Sequence, residues 1–127
     1  MSNSKTNTHG PDFISFQVRD LQASSEFYEN VVGLTCIPAP NPEAAVFTDG
    51  SVSFAVRNPF PGVDLDQLGQ LGAGIGVWFQ CTDPAELHER LVSRGVTIVQ
   101  EPSQGPFGKQ FTFRDPDGYV VTIHGGE

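Results

Sequence analysis

Four residues near the end of the chain, Asp115-Pro116-Asp117-Gly118, constrain its fold more than any others. They separate two β-like runs, residues 110–114 and 119–124, and carry the chemistry of a tight turn. Aspartate side chains satisfy backbone donors there and glycine accepts positive φ, so the motif reads as a hairpin turn and not as a site. The chain opens with a matching phrase. From Phe13 apolar residues alternate, with Ile14, Phe16 and Val18 on one face of a strand and Phe13, Ser15, Gln17 and Arg19 on the other. Asp20 follows as the N-cap of a helix, since its carboxylate can accept free N–H groups of the first turn. The helix body is expected from Ser24-Ser25-Glu26. Phe27, Val31 and Leu34 recur at helical spacing, and Gly33 fits the stop.

The second half replays this order about sixty residues later. Val77, Phe79 and Cys81 alternate with Gly76, Trp78 and Gln80; Asp83-Pro84 opens a helix with an acidic cap and proline in its first turn. Leu87, Leu91 and Val92 form that helix's apolar stripe, Gly95 ends it, and residues 96–99 form the next strand. Within the first half, residues 45–47 and 51–56 are expected to pair around Thr48-Asp49-Gly50, because Asp-Gly is a hairpin signal. Residues 36–43 hold Pro38, Pro40 and Pro42, too many for a regular element. The polar segment 1–11 reads as a disordered lead-in. One domain over 12–127 is expected, with modules of about 12–56 and 75–124 and a loop-like bridge, 57–74, holding at most a short helical turn.

A chain of 127 residues is long enough to bury a real core, and its ten Phe supply one. Cys36 and Cys81 are too few for a disulfide framework and are expected as buried free thiols. No apolar run reaches membrane-spanning length and the first residues lack a signal peptide's apolar segment, so a cytoplasmic protein without a membrane partner is expected. The formal charge of −8 argues against nucleic acid as partner. It is compatible with a cationic ligand, and equally with solubility alone. Nucleophile arrangements are absent on inspection: neither Cys has a basic neighbour in sequence. Gly72-Ala-Gly-Ile-Gly76 precedes a strand, the wrong context for a phosphate loop.

A strand, an acid-capped helix and a closing strand after Asp-Pro-Asp-Gly together resemble the glyoxalase/bleomycin-resistance/extradiol-dioxygenase superfamily, the vicinal oxygen chelate fold. The resemblance covers residues 12 to 124. It implies an α+β fold of two βαβββ modules whose curved mixed sheets surround a cavity, and a homodimer, in some members with modules swapped between chains. In metal-dependent members four side chains hold a divalent ion, one from the first and one from the last strand of each module. Counting from Asp20, Asp83 and Asp117 places Phe13, Gly76 and Thr122 at three of these positions, and counting from Asp49 places Phe54 at the fourth. None offers imidazole, carboxylate or thiolate, so no metal or other cofactor is expected. What remains resembles the metal-free, bleomycin-resistance-like branch, which binds a small organic molecule and in some members sequesters an antibiotic. The alternative is a divergent lyase, isomerase or dioxygenase.

Residues sharing the face of Phe13 and Gly76 then become candidate ligand contacts: Ser15 and Gln17 from the first strand, Trp78 and Gln80 from its counterpart, Thr122 and His124 from the last. Trp78 has two readings, a platform that stacks on a planar or cationic ligand, or a filler of the cavity or a dimer seam. Phe47, Phe54, Phe60, Phe107 and Phe111 are candidates for an aromatic wall, against the ordinary expectation of core packing. Arg57 is placed to meet an anionic group or to form a surface salt bridge. His9 falls in the lead-in and His88 on a helix surface, which leaves His124 as the histidine within reach of the cavity.

Overall fold

The computed structural model describes residues 7–38 and 41–126. The expected lead-in therefore lies outside the described residues over 1–6, as do two positions of the proline-rich stretch. Two four-stranded mixed sheets form, one per module. In the first, β1 (Phe13–Gln17), β2 (Cys36–Ile37), β3 (Ala44–Phe47) and β4 (Ser53–Arg57) lie in the order β1-β4-β3-β2. In the second, β5 (Val77–Gln80), β6 (Thr97–Gly105), β7 (Gly108–Arg114) and β8 (Val120–Gly125) lie in the order β5-β8-β7-β6. Each opening strand runs parallel to the last strand of its module, and the remaining pairs are antiparallel. This repeated order is the two-module α+β fold expected from the sequence.

Both helices start as their caps dictate. Asp20 Oδ1 accepts from Ala23 N at 3.1 Å and starts α1 (Leu21–Glu26), three residues ahead of the expected body. Asp83 Oδ1 accepts from Glu86 N at 3.1 Å above α2 (Pro84–Ser93). The first helix continues as a π-helical turn, Phe27–Val32, ended by Gly33 at φ 95° with its N–H on the Tyr28 carbonyl. The wider turn rotates the inward face by one residue. Tyr28 and Val32 become the buried pair, and Phe27, Val31 and Leu34 pack only partly against the core.

Other departures from expectation are small. Cys36 and Ile37 pair with Phe47 and Val46 despite the prolines that follow. Strand β6 runs on to Gly105, making a long hairpin with β7 where only its ends had β character in sequence. The bridge holds a 3-10 turn, Leu65–Gln67. Both cysteines are free but half-buried instead of buried, because each sits at a strand end. Among the described residues no helix is long and apolar enough to cross a membrane.

One core serves both modules. Phe16 stacks on Tyr119 with centroids 4.0 Å apart, Phe54 meets Phe79 at 5.2 Å, and Tyr28 meets both Phe54 (4.9 Å) and Phe79 (6.3 Å). The closing turn then docks on the first module. Asp115 is buried, and its Oδ1 accepts from Asp117 N and Tyr119 N at 2.9 Å each while Oδ2 accepts from the Tyr28 hydroxyl at 2.6 Å. Asp117 Oδ1 accepts from Arg19 N at 2.9 Å, and the Tyr119 hydroxyl donates to Gln17 O at 2.7 Å. Gly118, at φ 100°, supplies the turn's left-handed residue.

Burial pushes the Tyr28 phenol well above its ordinary value and the Asp115 carboxylate beside it adds to the effect; Tyr119 moves up for the same two reasons. Groups whose pKa is raised on folding stabilise the fold fully below the unfolded value, about 10 for tyrosine, and lose that contribution as pH rises past it. These are the chain's two tyrosines. In an alkaline titration tyrosinate absorbance should therefore appear together with loss of far-ultraviolet circular dichroism, and not before it. A tyrosinate signal near pH 10 with the fold intact would contradict the docking. Tyr28→Phe leaves the buried Asp115 short of one donor and should cost about 1–3 kcal/mol in chemical denaturation.

Candidate functional site

Strand pairing decides which predicted residues share a face. Ser15 is in register with Ala55 and Gln17 with Arg57, while Trp78 is opposite Thr122 and Gln80 opposite His124. Phe13, Ser15, Gln17 and Arg57 thus lie together on one sheet, and Trp78, Gln80, Thr122 and His124 on the other. Both faces are turned away from the shared core. Phe13 is 54% exposed and Trp78 44% exposed, with Ser15, Gly76 and Gln80 also open to solvent. The modules meet through their helix-side faces, so the faces expected to line the cavity form the outside of the single chain.

Two predicted residues are displaced from these faces. Phe54 pairs with Ile14 and packs edge-on to Phe16 at 5.0 Å, on the helix side. Counting from Asp49 falls one residue short because that hairpin lacks the full turn motif. The residue in register with Thr122 of the second module is Ala55, which has no donor either. Phe111 pairs with Ile123, is fully buried, and meets the His88 ring at 5.2 Å beneath α2. A residue opposite Ile123 has to share its side of the sheet. His88 accordingly has a packed ring, and its Nε2 lies 3.1 Å from Glu101 Oε1.

Between the β3–β4 hairpin of the first module and strands β5 and β8 of the second, a groove of about 360 Å³ opens. Ile14, Phe47, Phe54 and Phe79 give it an apolar side; Trp78, Gln80 and His124 stand at its rim; Thr35, Thr48 and Asp49 add polar groups. Asp49 is held ionised, its pKa lowered by the Ser51 hydroxyl at 2.9 Å and by the Ser51 N–H. Phe79 and the Thr48–Val52 turn were missed as groove residues because strand alternation turns them toward the core or solvent. Only the meeting of two modules gives them a ligand-sized space. A smaller pocket along the same seam is bordered by Ser15, Phe16, Val77 and Tyr119.

Above the second sheet three rings touch one another. Trp78 meets Phe107 at 5.9 Å and His124 at 5.7 Å, and Phe107 meets His124 at 5.8 Å. Phe107, at the tip of the β6–β7 hairpin, is 63% exposed. The cluster is aromatic, open and outside the core. Thr122, on the same face, pairs its hydroxyl with Thr112 Oγ1 at 3.1 Å.

The residues at the family's four metal positions do not fit a metal. In register they are Phe13, Ala55, Gly76 and Thr122, and one neutral hydroxyl already bonded to Thr112 cannot replace the imidazoles and carboxylates a divalent ion requires. Among the described residues no three His, Cys, Asp or Glu side chains stand together as an alternative donor set.

The contrast between Trp78 and Phe54 is testable by stability alone. Trp78→Ala should change unfolding free energy by no more than about 0.5–1 kcal/mol, as for an exposed side chain. Phe54→Ala, in the shared core, should cost about 3–5 kcal/mol. Equal losses would make Trp78 a packing residue.

The profile of the Glyoxalase/Bleomycin resistance protein/Dioxygenase superfamily matches residues 10–123. Metallothiol transferase FosB of Shouchella clausii (strain KSM-K16) is 26% identical over 123 residues, 93% of this chain and 81% of that one. Among solved structures, the antibiotic binding protein TnmS3 of Streptomyces sp. CB03234 superposes with a TM-score of 0.75 at 23% identity, covering 97% of this chain and 100% of that one. Lactoylglutathione lyase of Agrobacterium tumefaciens superposes with a TM-score of 0.67 at 20% identity, covering 95% and 96%. Likeness at these identities is a likeness of fold, and it embraces a binder and enzymes alike. With its two-sheet architecture and a profile match over almost its whole length, the chain belongs to the glyoxalase/bleomycin resistance/dioxygenase superfamily.

Proposed function

We propose that the protein binds a small organic molecule without a metal, by apolar and stacking contact, and acts by holding it. The observation that carries this reading is the exposed ring cluster of Trp78, Phe107 and His124 beside a groove of about 360 Å³, a volume in the range of small-molecule sites. Three mutually packed rings left open to water hold apolar area in place for a planar ligand at little ordering cost. The substituted metal positions support binding over the metal-assisted chemistry of lyases, isomerases and dioxygenases, because nothing at those positions can polarise a pair of substrate oxygens. TnmS3, an antibiotic binding protein by description, is a fold relative, and antibiotic sequestration is the specific form of this proposal.

A second copy of the chain completes the site in this reading. The outward faces expose Phe13, Trp78 and Phe107, and Ile75 at the start of the second module is 72% exposed. Apolar side chains concentrated on two sheet faces mark an interaction surface. A homodimer that sets one copy's first sheet against the other's second would cover both and enclose the ligand between them.

Thermal unfolding of the chain, scanned against planar aromatic antibiotics, divalent metals and chelator, tests the proposal. A ligand that binds only the folded state stabilises it by about 2.7 kcal/mol at a hundredfold excess over its Kd. At least one aromatic compound should raise the melting point and quench the single tryptophan, Trp78, with both effects lost in Trp78→Ala. Metals and chelator should leave the melting point unchanged. A rise with metal alone would overturn metal-free binding. Sedimentation should show a dimer, and dilution to monomer should abolish ligand binding.

A further inference from the structure

Arg57 stands on the outward face of the first module, held in an unusual way. Its Cζ lies over the Phe60 ring, 3.8 Å from the centroid, and its Nε donates to Asn58 O at 2.9 Å. Phe60 is fixed in turn, its N–H donating to Gln17 Oε1 at 2.8 Å. The terminal amino groups of Arg57 bond nothing among the described residues, and it forms no ion pair with any of them. Glu43, beside the neighbouring Asn58, is occupied, its Oε1 accepting from Asn58 Nδ2 at 2.9 Å. Of the other four arginines, Arg94 is exposed and makes no side-chain bond to the described residues, and three spend more of their donors internally. Arg19 grips Asp66 and Asp117, Arg90 donates Nε and Nη2 to the Val31 and Val32 carbonyls, and Arg114 bonds Gln70 and Gly118.

A guanidinium tethered at Nε and seated on a ring has its position set before any ligand arrives, and its two terminal amino groups form a fork matched to a carboxylate. Phe60 is 49% exposed, and Phe13, on the same face, 54% exposed, so apolar surface flanks the fork. From this geometry we propose that the ligand is an aromatic acid, with its carboxylate taken by Arg57 and its ring system by Phe13 and Phe60 on the same face, opposite the ring cluster of the second copy in the homodimer proposed above. The inference rests on the small-molecule binding reading above and names its ligand class. It also runs against the overall charge. A chain of formal charge −8 repels an anion at long range, so the preference has to come from these short contacts.

Equilibrium dialysis of the full chain against three matched probes tests it: an anthracene carboxylate, the corresponding neutral carboxamide, and an anthracenylmethyl trimethylammonium. The carboxylate should bind about tenfold or more tightly than the carboxamide, as expected for charge-assisted hydrogen bonds. Arg57→Gln should bring the carboxylate-to-carboxamide ratio close to one. Arg57→Lys should restore only part of the preference, because a point charge lacks the fork. Because the readout is a ratio measured on one preparation, a partly unfolded variant does not disguise the result. Equal binding of acid and amide, or tightest binding of the ammonium probe, would overturn the acid preference while leaving small-molecule binding intact. Failure of all three probes to bind would count against both.

Discussion

The docking of the closing turn onto the first module is the contact on which the rest of the structure depends. Asp115 does two jobs with one carboxylate. One oxygen ties its own turn, and the other accepts from Tyr28 across the module boundary. Burial of that carboxylate raises its pKa, an effect its hydrogen bonds from Tyr28, Tyr119 and Asp117 only partly offset. A buried charge left without those donors would cost several kcal/mol, so the turn and the first helix are fixed relative to each other or neither is stable. Arg19 and Tyr119 add contacts on either side, and the shared aromatic core fills in behind them.

That docking determines which way the sheets face. Tyr28 and Phe79 are joined through the helix side, so the helix-side surfaces are consumed in holding the modules together. In the binding proposed above, the ligand uses the outward faces or the groove between the two modules. Here lie the features that packing leaves unexplained: a solvent-open ring cluster, a groove with an aromatic floor, and an arginine whose terminal donors are unused.

The same geometry separates this chain from metal-dependent members of its superfamily. The backbone places are kept, since Ser15 and Trp78 pair with Ala55 and Thr122 in matching registers in the two sheets. The donors are missing from them. Places kept without imidazole or carboxylate at them are the ground for the metal-free binding proposed above. In the binding proposed above, recognition falls to apolar contact, ring stacking and Arg57.

Local chemistry determined much of this molecule in advance. Asp20 and Asp83 had to cap helices, Asp-Pro-Asp-Gly had to turn, and alternation around Phe13 and Trp78 had to put Ser15 and Gln80 on the faces away from the helices. Each is a matter of a few adjacent residues. Phe54 and Phe111 show where that reasoning stops. Both are aromatic residues in strands, and period-two alternation cannot say which face is buried until the neighbouring strand sets the register. The π-helical turn is similar: spacing favoured Phe27 and Val31, and the shared core took Tyr28 and Val32. The sequence by itself determined both helices, most of the strands and their order. Only the tertiary structure decided that the candidate faces point outward, that the groove lies at the seam, and that Arg57 is stacked with its fork free, because each of these depends on contacts between residues far apart in the chain.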